Sequence, residues 1–234
     1  MKYIVIILNV FLLFSCMNNG SDDHSHDGHE SHGHNHGHSA NEHMNQNSFE
    51  DLVDRFEGPE RAEWQMPEKV FEVMGDIEGK KLYDIGPGTG YFSFMAVDRG
   101  AEVIAADIDQ RFLDYIKHKR DSLGIEPSKL HVRKVNENSA GLRQGEADIA
   151  YMVNVYHHID DRPEYFARIR EQLNEGGKLM IIDFIKEETP HGPPASMRLA
   201  PDVVQEELEK AGFTQFDIIT DVLPEQYIVV ASVD

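Results

Sequence analysis

Tyr83-Asp84-Ile85-Gly86-Pro87-Gly88-Thr89-Gly90-Tyr91 is the stretch that decides the fold. An apolar-flanked run, Lys81 to Ile85, enters a Gly-Pro-Gly-Thr-Gly turn, and a helical pattern (Phe92-Ser93-Phe94-Met95-Ala96-Val97) follows at once. Strand, glycine loop and helix start, in that order, bring backbone N–H groups close to a ligand with a helix N-terminus behind them. The spacing is G-x-G-x-G. It is neither the G-x-G-x-x-G of dinucleotide binders nor the G-x-x-x-x-G-K of P-loops, and no Lys follows to neutralise a phosphate. Asp84 directly before the loop repels phosphate and attracts a cation. An amine or sulfonium therefore suits the loop better than a nucleotide phosphate. Taken alone, the glycines are equally compatible with a tight turn.

Outward from the loop, strand-like runs alternate with helix-length segments. Strands are expected at Lys81–Ile85, Glu102–Ala106, Leu130–Val135, Ala147–Val153, Lys178–Ile185, Phe216–Ile219 and Tyr227–Ser232. Helices are expected at Glu68–Met74, Tyr91–Arg99, Gln110–Leu123, Arg162–Leu173 and Val203–Ala211, with Asp202 capping the last and Gly212 ending it. Repeated βα alternation implies an α/β fold: a doubly wound, mostly parallel sheet with helices on both faces. Residues 54–67 read as a polar, irregular stretch, a lid or an N-terminal helix over the site.

The chain has 234 residues and a formal net charge of −20. An acidic surface repels phosphate-rich partners, so nucleic acid is not the expected substrate. Three segments are expected: residues 1–16, a lipoprotein-type signal peptide; 17–48, a His-rich, low-complexity linker; and 49–234, the folded domain. Residues 3–14 are apolar but fewer than the roughly 20 that span a bilayer, and read as a secretory signal. The single Cys, Cys16, follows Leu13-Phe14-Ser15, which resembles a lipobox; a plain signal peptide with an incidental Cys is the other reading. The pattern implies export and a lipid anchor on a bacterial membrane. The linker carries His24, His26, His29, His32, His34, His36 and His38, and such tracts bind Zn, Cu or Ni weakly. A polar tether explains the same composition, but the density of alternating His favours metal affinity.

Polar residues gather at the expected strand ends. Asp107 ends the second strand 21 residues after Gly86, about the interval at which an acid meets ribose hydroxyls in nucleotide-binding βαβ units. The third strand ends near Asn136-Glu137-Asn138, and the fourth in Asn154-Val155-Tyr156-His157-His158. These ends face one crevice, where open parallel sheets bind ligands.

Asp84-Ile85-Gly86-Pro87-Gly88-Thr89-Gly90, Val103 to Asp109, Ala147-Asp148-Ile149-Ala150 and Leu173 to Leu179 together resemble the class I S-adenosylmethionine-dependent methyltransferases. Glu175 stands where that family usually has Pro. The resemblance implies a seven-stranded Rossmann-like sheet with an antiparallel last strand, and S-adenosyl-L-methionine as cofactor. More narrowly, Pro59 to Gln65, the Asn154–His158 loop and Gly192-Pro193-Pro194 followed by Arg198 are similar to a group of bacterial, often exported methyltransferases. The quinone-biosynthesis methyltransferases are more distantly similar. By position, Asp84, Gly86, Gly88 and Gly90 would hold the methionine part, Asp107 the ribose hydroxyls and Ile108 the adenine, with Asn154 near the reacting methyl. Tyr156, His157 and His158 are candidates to orient or deprotonate a small-molecule acceptor, the two His ranked equally. Trp64, Gln65, His191 and Arg198 are expected on the acceptor side. A fold-retaining binding protein without turnover, or a metal-handling lipoprotein using the His tract, are the competing functions.

Overall fold

Strands buried on both faces require near-continuous apolar runs, and the central ones here have them: Leu82 to Ile85, Ile149 to Met152 and Leu179 to Phe184 are buried throughout. A computed structural model describes residues 47–233. In chain order these form α1 (Phe49–Phe56), α2 (Arg61–Gln65), α3 (Pro67–Met74), β1 (Lys81–Ile85), α4 (Tyr91–Asp98), β2 (Glu102–Asp107), α5 (Gln110–Ser122), β3 (Leu130–Lys134) and β4 (Ile149–Val153). A 3₁₀ turn (Tyr156–His158), α6 (Arg162–Gln172), β5 (Lys178–Phe184), a second 3₁₀ turn (Ala195–Met197), α7 (Pro201–Lys210), β6 (Gln215–Ile219) and β7 (Gln226–Ser232) complete them. The signal, Cys16 and His-tract expectations lie outside the described residues. No helix among the described residues is long and apolar enough to cross a membrane.

The seven strands run in the order β3-β2-β1-β4-β5-β7-β6. All pairings are parallel except those of β7, which is antiparallel to both β5 and β6. The winding direction reverses between β1 and β4, so the crevice falls at their carboxyl ends. Side-chain alternation splits the core in two. Tyr83, Ile85, Met152 and Ile181 face α6 and α7 with Phe166 and Leu208; Leu82, Tyr151, Met180 and Ile182 face α3, α4 and α5 with Phe71, Phe92 and Ile116. Each such side chain, fully buried, contributes roughly 1.5–3 kcal/mol.

Two expectations are corrected. Residues 54–67 are not irregular. Ser48 caps α1 through its hydroxyl, which accepts from Asp51 N at 3.1 Å; Phe49 and Phe56 then lay the helix on Phe112 of α5, with ring centroids 5.2 and 5.8 Å away. Helix α2 ends at Met66 in the left-handed conformation (φ 44°), and Pro67 starts α3 directly. Nor does Asp202 cap α7. Ala200 holds that position because Pro201, with its fixed φ and absent N–H, takes the first helical place; Asp202 lies inside the first turn.

Candidate functional site

Three alternate positions of the loop after β1 adopt left-handed backbone: Gly86 (φ 67°), Gly88 (56°) and Gly90 (79°). Space excludes a side chain as firmly as conformation does. A Cβ at Gly86 would lie 2.7 Å from Val155, at Gly88 3.2 Å from the Phe56 ring, and at Gly90 3.0 Å from Ile116. Helix α1 thus closes on the loop through Phe56.

Alternation along β1 places Asp84 on the α4 side, where Ser93 Oγ (2.5 Å) and Tyr151 Oη (2.8 Å) both donate to its Oδ2. Burial pushes its pKa up to about 6 against the opposing effect of these donors. Asp107, closing β2, accepts from Gly88 N at 3.3 Å on one oxygen and from Asp109 N at 2.8 Å on the other. Burial raises it too, to about 6, with the two backbone donors working the other way. Asp107 is therefore tied to the glycine loop across the strand gap. Ile108, next to it, is exposed at the rim (41%). Thr89 Oγ1, inside the loop, is buried with no hydrogen-bond partner among the described residues. A left-handed glycine loop, two buried carboxylates beside it and an orphaned hydroxyl suit a ligand with hydroxyls and a positive centre.

Asn154 follows β4 with φ 61°, its N–H donating to Ile182 O (2.8 Å) and its Oδ1 accepting from Gln226 Nε2 (2.5 Å). His157 is buried, and its Nδ1 lies 3.0 and 3.1 Å from the two oxygens of Asp183, near the end of β5. Burial opposes ionisation of Asp183, but the charge and hydrogen bond of His157 prevail and hold its pKa below the ordinary value. His158 packs on His157 with centroids 4.3 Å apart; burial first, then the neighbouring imidazole, push its pKa down to about 3. Of the two His, only His157 has its ring nitrogen held by a buried carboxylate.

Two candidate residues are corrected outright. Tyr156 does not face the site. Its ring stacks on Phe166 (5.1 Å), and its hydroxyl donates to Glu207 of α7 at 2.6 Å, beside Arg162. Arg198 does not offer its guanidinium to an acceptor. It is buried, and its guanidinium donates to Pro193 O, Ile185 O, Glu187 O, His191 O and Thr189 Oγ1, shaping the loop between β5 and α7. Of the other residues expected on the acceptor side, Trp64 and His191 pair with each other and Gln65 with Gln226. Trp64 stacks on His191 (4.8 Å, 13°) and on Phe184 (5.6 Å), His191 Nδ1 meets Glu225 at 2.9 Å, and Gln65 donates to Gln226 at 3.1 Å.

Sequence reasoning missed Phe56, Arg61, Ser93, Tyr151, Asp183, Glu225 and Gln226. Asp183 left a signal, as an acid interrupting an otherwise apolar strand, and Arg61 lay within the Pro59–Gln65 segment without being singled out. No group of three His, Cys, Asp or Glu among the described residues is placed to hold a metal. A cleft lined by Lys81, His131 and Arg143 lies at the amino ends of the strands, away from this crevice.

A doubly wound sheet with a left-handed glycine loop and a strand-end acid at its switch point defines a nucleoside-binding α/β protein. Residues 83–181 match the family model described as a methyltransferase domain. A SAM-dependent methyltransferase from Aquifex aeolicus superposes with a TM-score of 0.72 at 25% identity, over 79% of this chain and 98% of that one. A second, from Mesorhizobium loti, shares the fold at TM-score 0.57 and 16% identity, covering 73% of this chain and 97% of that one. Among curated relatives, a tRNA U34 carboxymethyltransferase from Chromohalobacter salexigens is 24% identical over 129 residues, 54% of this chain and 38% of that protein. The chain spans about half or less of the length of the first curated relatives it matches. Residues 83–181 therefore carry the likeness of a methyltransferase domain, on the fold of the S-adenosylmethionine-dependent methyltransferases, and S-adenosylmethionine is the cofactor that this likeness indicates.

The raised carboxylates set a pH dependence with two opposite signs. In the unliganded fold, Asp84 and Asp107 favour the protonated form, so their contribution to stability is full below about pH 4 and is lost as pH rises through about 6. A sulfonium and ribose hydroxyls favour the ionised form. Affinity for S-adenosylmethionine is expected to be flat above about pH 7 and to fall below pH 6, by roughly tenfold per pH unit for each carboxylate that must ionise. Calorimetric titration across this range, with thermal melts of the free protein, measures both.

Proposed function

We propose that the chain transfers a methyl group to a small, non-nucleic-acid acceptor, with His157 as the proton-accepting residue. The observation that carries this is the buried His157–Asp183 pair, beside Asn154 and one strand over from the glycine loop. S-adenosylmethionine, when bound, supplies a methyl group made electrophilic by its sulfonium. Methyl transfer needs alignment and a dry pocket, and a base only when the acceptor holds its proton at neutral pH. Asp183 supports a tautomer in which Nδ1 carries the hydrogen and Nε2 offers its lone pair. His191 and Glu225 form a second pair across the loop from Trp64.

A tRNA acceptor, suggested by the carboxymethyltransferase relatives, fits poorly with a chain of net charge −20. The sequence pattern alone carries the rest of the reading: Cys16 as a lipid anchor on the outer side of a bacterial membrane, and the His tract as a metal-affine tether.

Transfer from methyl-labelled cofactor to a panel of phenols, quinols, thiols and metalloids, with bulk tRNA alongside, is the test. The expected result is turnover with a small acceptor and none with tRNA. Tight cofactor binding with no transfer to any of them would replace the reading with that of a binding protein on a methyltransferase fold.

A further inference from the structure

A buried amide has an acceptor at one end and two donors at the other, so its neighbours decide which end it presents. Three amides stand in a row here: Gln65 on α2, Gln226 at the start of β7, and Asn154 after β4. Gln65 and Gln226 have no exposed surface. A row of amides alone has no preferred direction. Arg61 supplies one, because a guanidinium only donates. Its Nε lies 2.6 Å from Gln65 Oε1. Gln65 then turns its NH₂ to Gln226 Oε1 (3.1 Å), and Gln226 turns its own to Asn154 Oδ1 (2.5 Å). Asn154 ends the row with its oxygen engaged and with no hydrogen bond among the described residues to Nδ2.

Both ends of the row are fixed. Arg61 donates from Nη1 to Phe56 O at 2.7 Å and lies 4.4 Å over the Tyr91 ring, at the helix that follows the glycine loop. Burial lowers its pKa to about 10, which leaves it cationic at neutral pH. At the other end the backbone of Asn154 is pinned in left-handed conformation by Ile182 O.

We propose that Arg61 is a positioning residue: through Gln65 and Gln226 it makes Asn154 a hydrogen-bond donor toward an anionic oxygen bound at the end of β4. The proposal rests on Asn154 belonging to the cofactor site. The oxygen is that of the S-adenosylmethionine carboxylate or of the methyl acceptor.

Gln226→Glu is the decisive variant. It still accepts from Gln65 but has nothing to donate, so Asn154 must turn its NH₂ inward to the new carboxylate. In ¹⁵N spectra the Asn154 side-chain amide protons are expected to exchange readily in the wild type and to become protected in Gln226→Glu. If the oxygen is the cofactor's, affinity for S-adenosylmethionine falls at least about tenfold while that for its decarboxylated analogue does not. If it is the acceptor's, both affinities hold and kcat with catechol falls by a similar factor. Arg61→Lys, still donor-only, preserves the wild-type pattern, and Arg61→Met loses it. Asn154→Asp, which keeps the acceptor and removes the donor, reproduces the defect should Gln226→Glu fold poorly. An unshifted Asn154 amide with unchanged binding and transfer overturns the proposal. Absence of cofactor binding in the wild type would overturn the site assignment instead, and the amide signals still decide the direction of the relay.

Discussion

Replacing Asp107 with Ala is expected to weaken S-adenosylmethionine binding by roughly 2–4 kcal/mol, about 30- to 1000-fold, while leaving the free protein at least as stable. The two expectations have one cause. Asp107 is a carboxylate with little access to water, and its pKa is pushed up to about 6 by that burial. Folding keeps it charged at neutral pH against its solvation preference, so its removal relieves a penalty. What is lost is the acceptor for ribose hydroxyls; charge-assisted hydrogen bonds contribute about 1.5–3 kcal/mol each. A further part is indirect, because Gly88 N donates to Asp107 and loses its anchor. Asp107→Asn should fall between, since its amide oxygen still accepts from one backbone N–H. Calorimetric binding together with a thermal melt separates the causes. Unaltered affinity, or loss of affinity accompanied by unfolding, would remove Asp107 from the cofactor site.

The conformation of the glycine loop was legible because it is local. A parallel strand ending in alternating glycines writes its own geometry: each residue must adopt positive φ and make room for a neighbour, and only Gly does both. The place of Asp107, at the end of β2 and bonded to that loop, was legible through its interval from Gly86. Strand positions were readable to within a residue or two because β1, β4 and β5 are covered on both faces and so are apolar throughout. The acceptor half was not, because its partners are distant in the chain. Gln65 and Gln226 are 161 positions apart, and His157 and Asp183 are 26 apart. Residue type announced Trp64, His191 and Arg198 as polar or aromatic candidates, but not that Trp64 would stack on His191. Nor did it show that Arg198 would be spent on loop carbonyls. Tyr156 misled for a related reason: a 3₁₀ turn swings successive side chains by about a third of a revolution. Tyr156 therefore points to α7 while His157 reaches Asp183.

His157→Gln is expected to lower kcat by roughly 10²–10⁴-fold toward an acceptor that must lose a proton, and to leave cofactor affinity unchanged. Gln is preferred to Ala because its amide can still donate to the buried Asp183 carboxylate, which Ala would leave without that hydrogen bond at a cost of about 1–3 kcal/mol or more. Asp183→Asn should reproduce part of the loss. The amide can donate toward Nδ1, which favours the tautomer whose Nε2 carries the hydrogen and cannot accept one. His158→Gln should cost less than about tenfold, because burial lowers the pKa of that imidazole to about 3 and makes it a weak proton acceptor. The pH profile separates a base from a merely structural residue. If His157 takes the acceptor's proton, the variant recovers rate as pH rises, by about tenfold per unit until the acceptor's own pKa is reached, since hydroxide then supplies the deprotonated form. A structural defect gives no such slope. His157→Gln at more than about a third of wild-type kcat, or with a pH profile parallel to it, would show that the pair holds the β4 and β5 ends together without moving a proton.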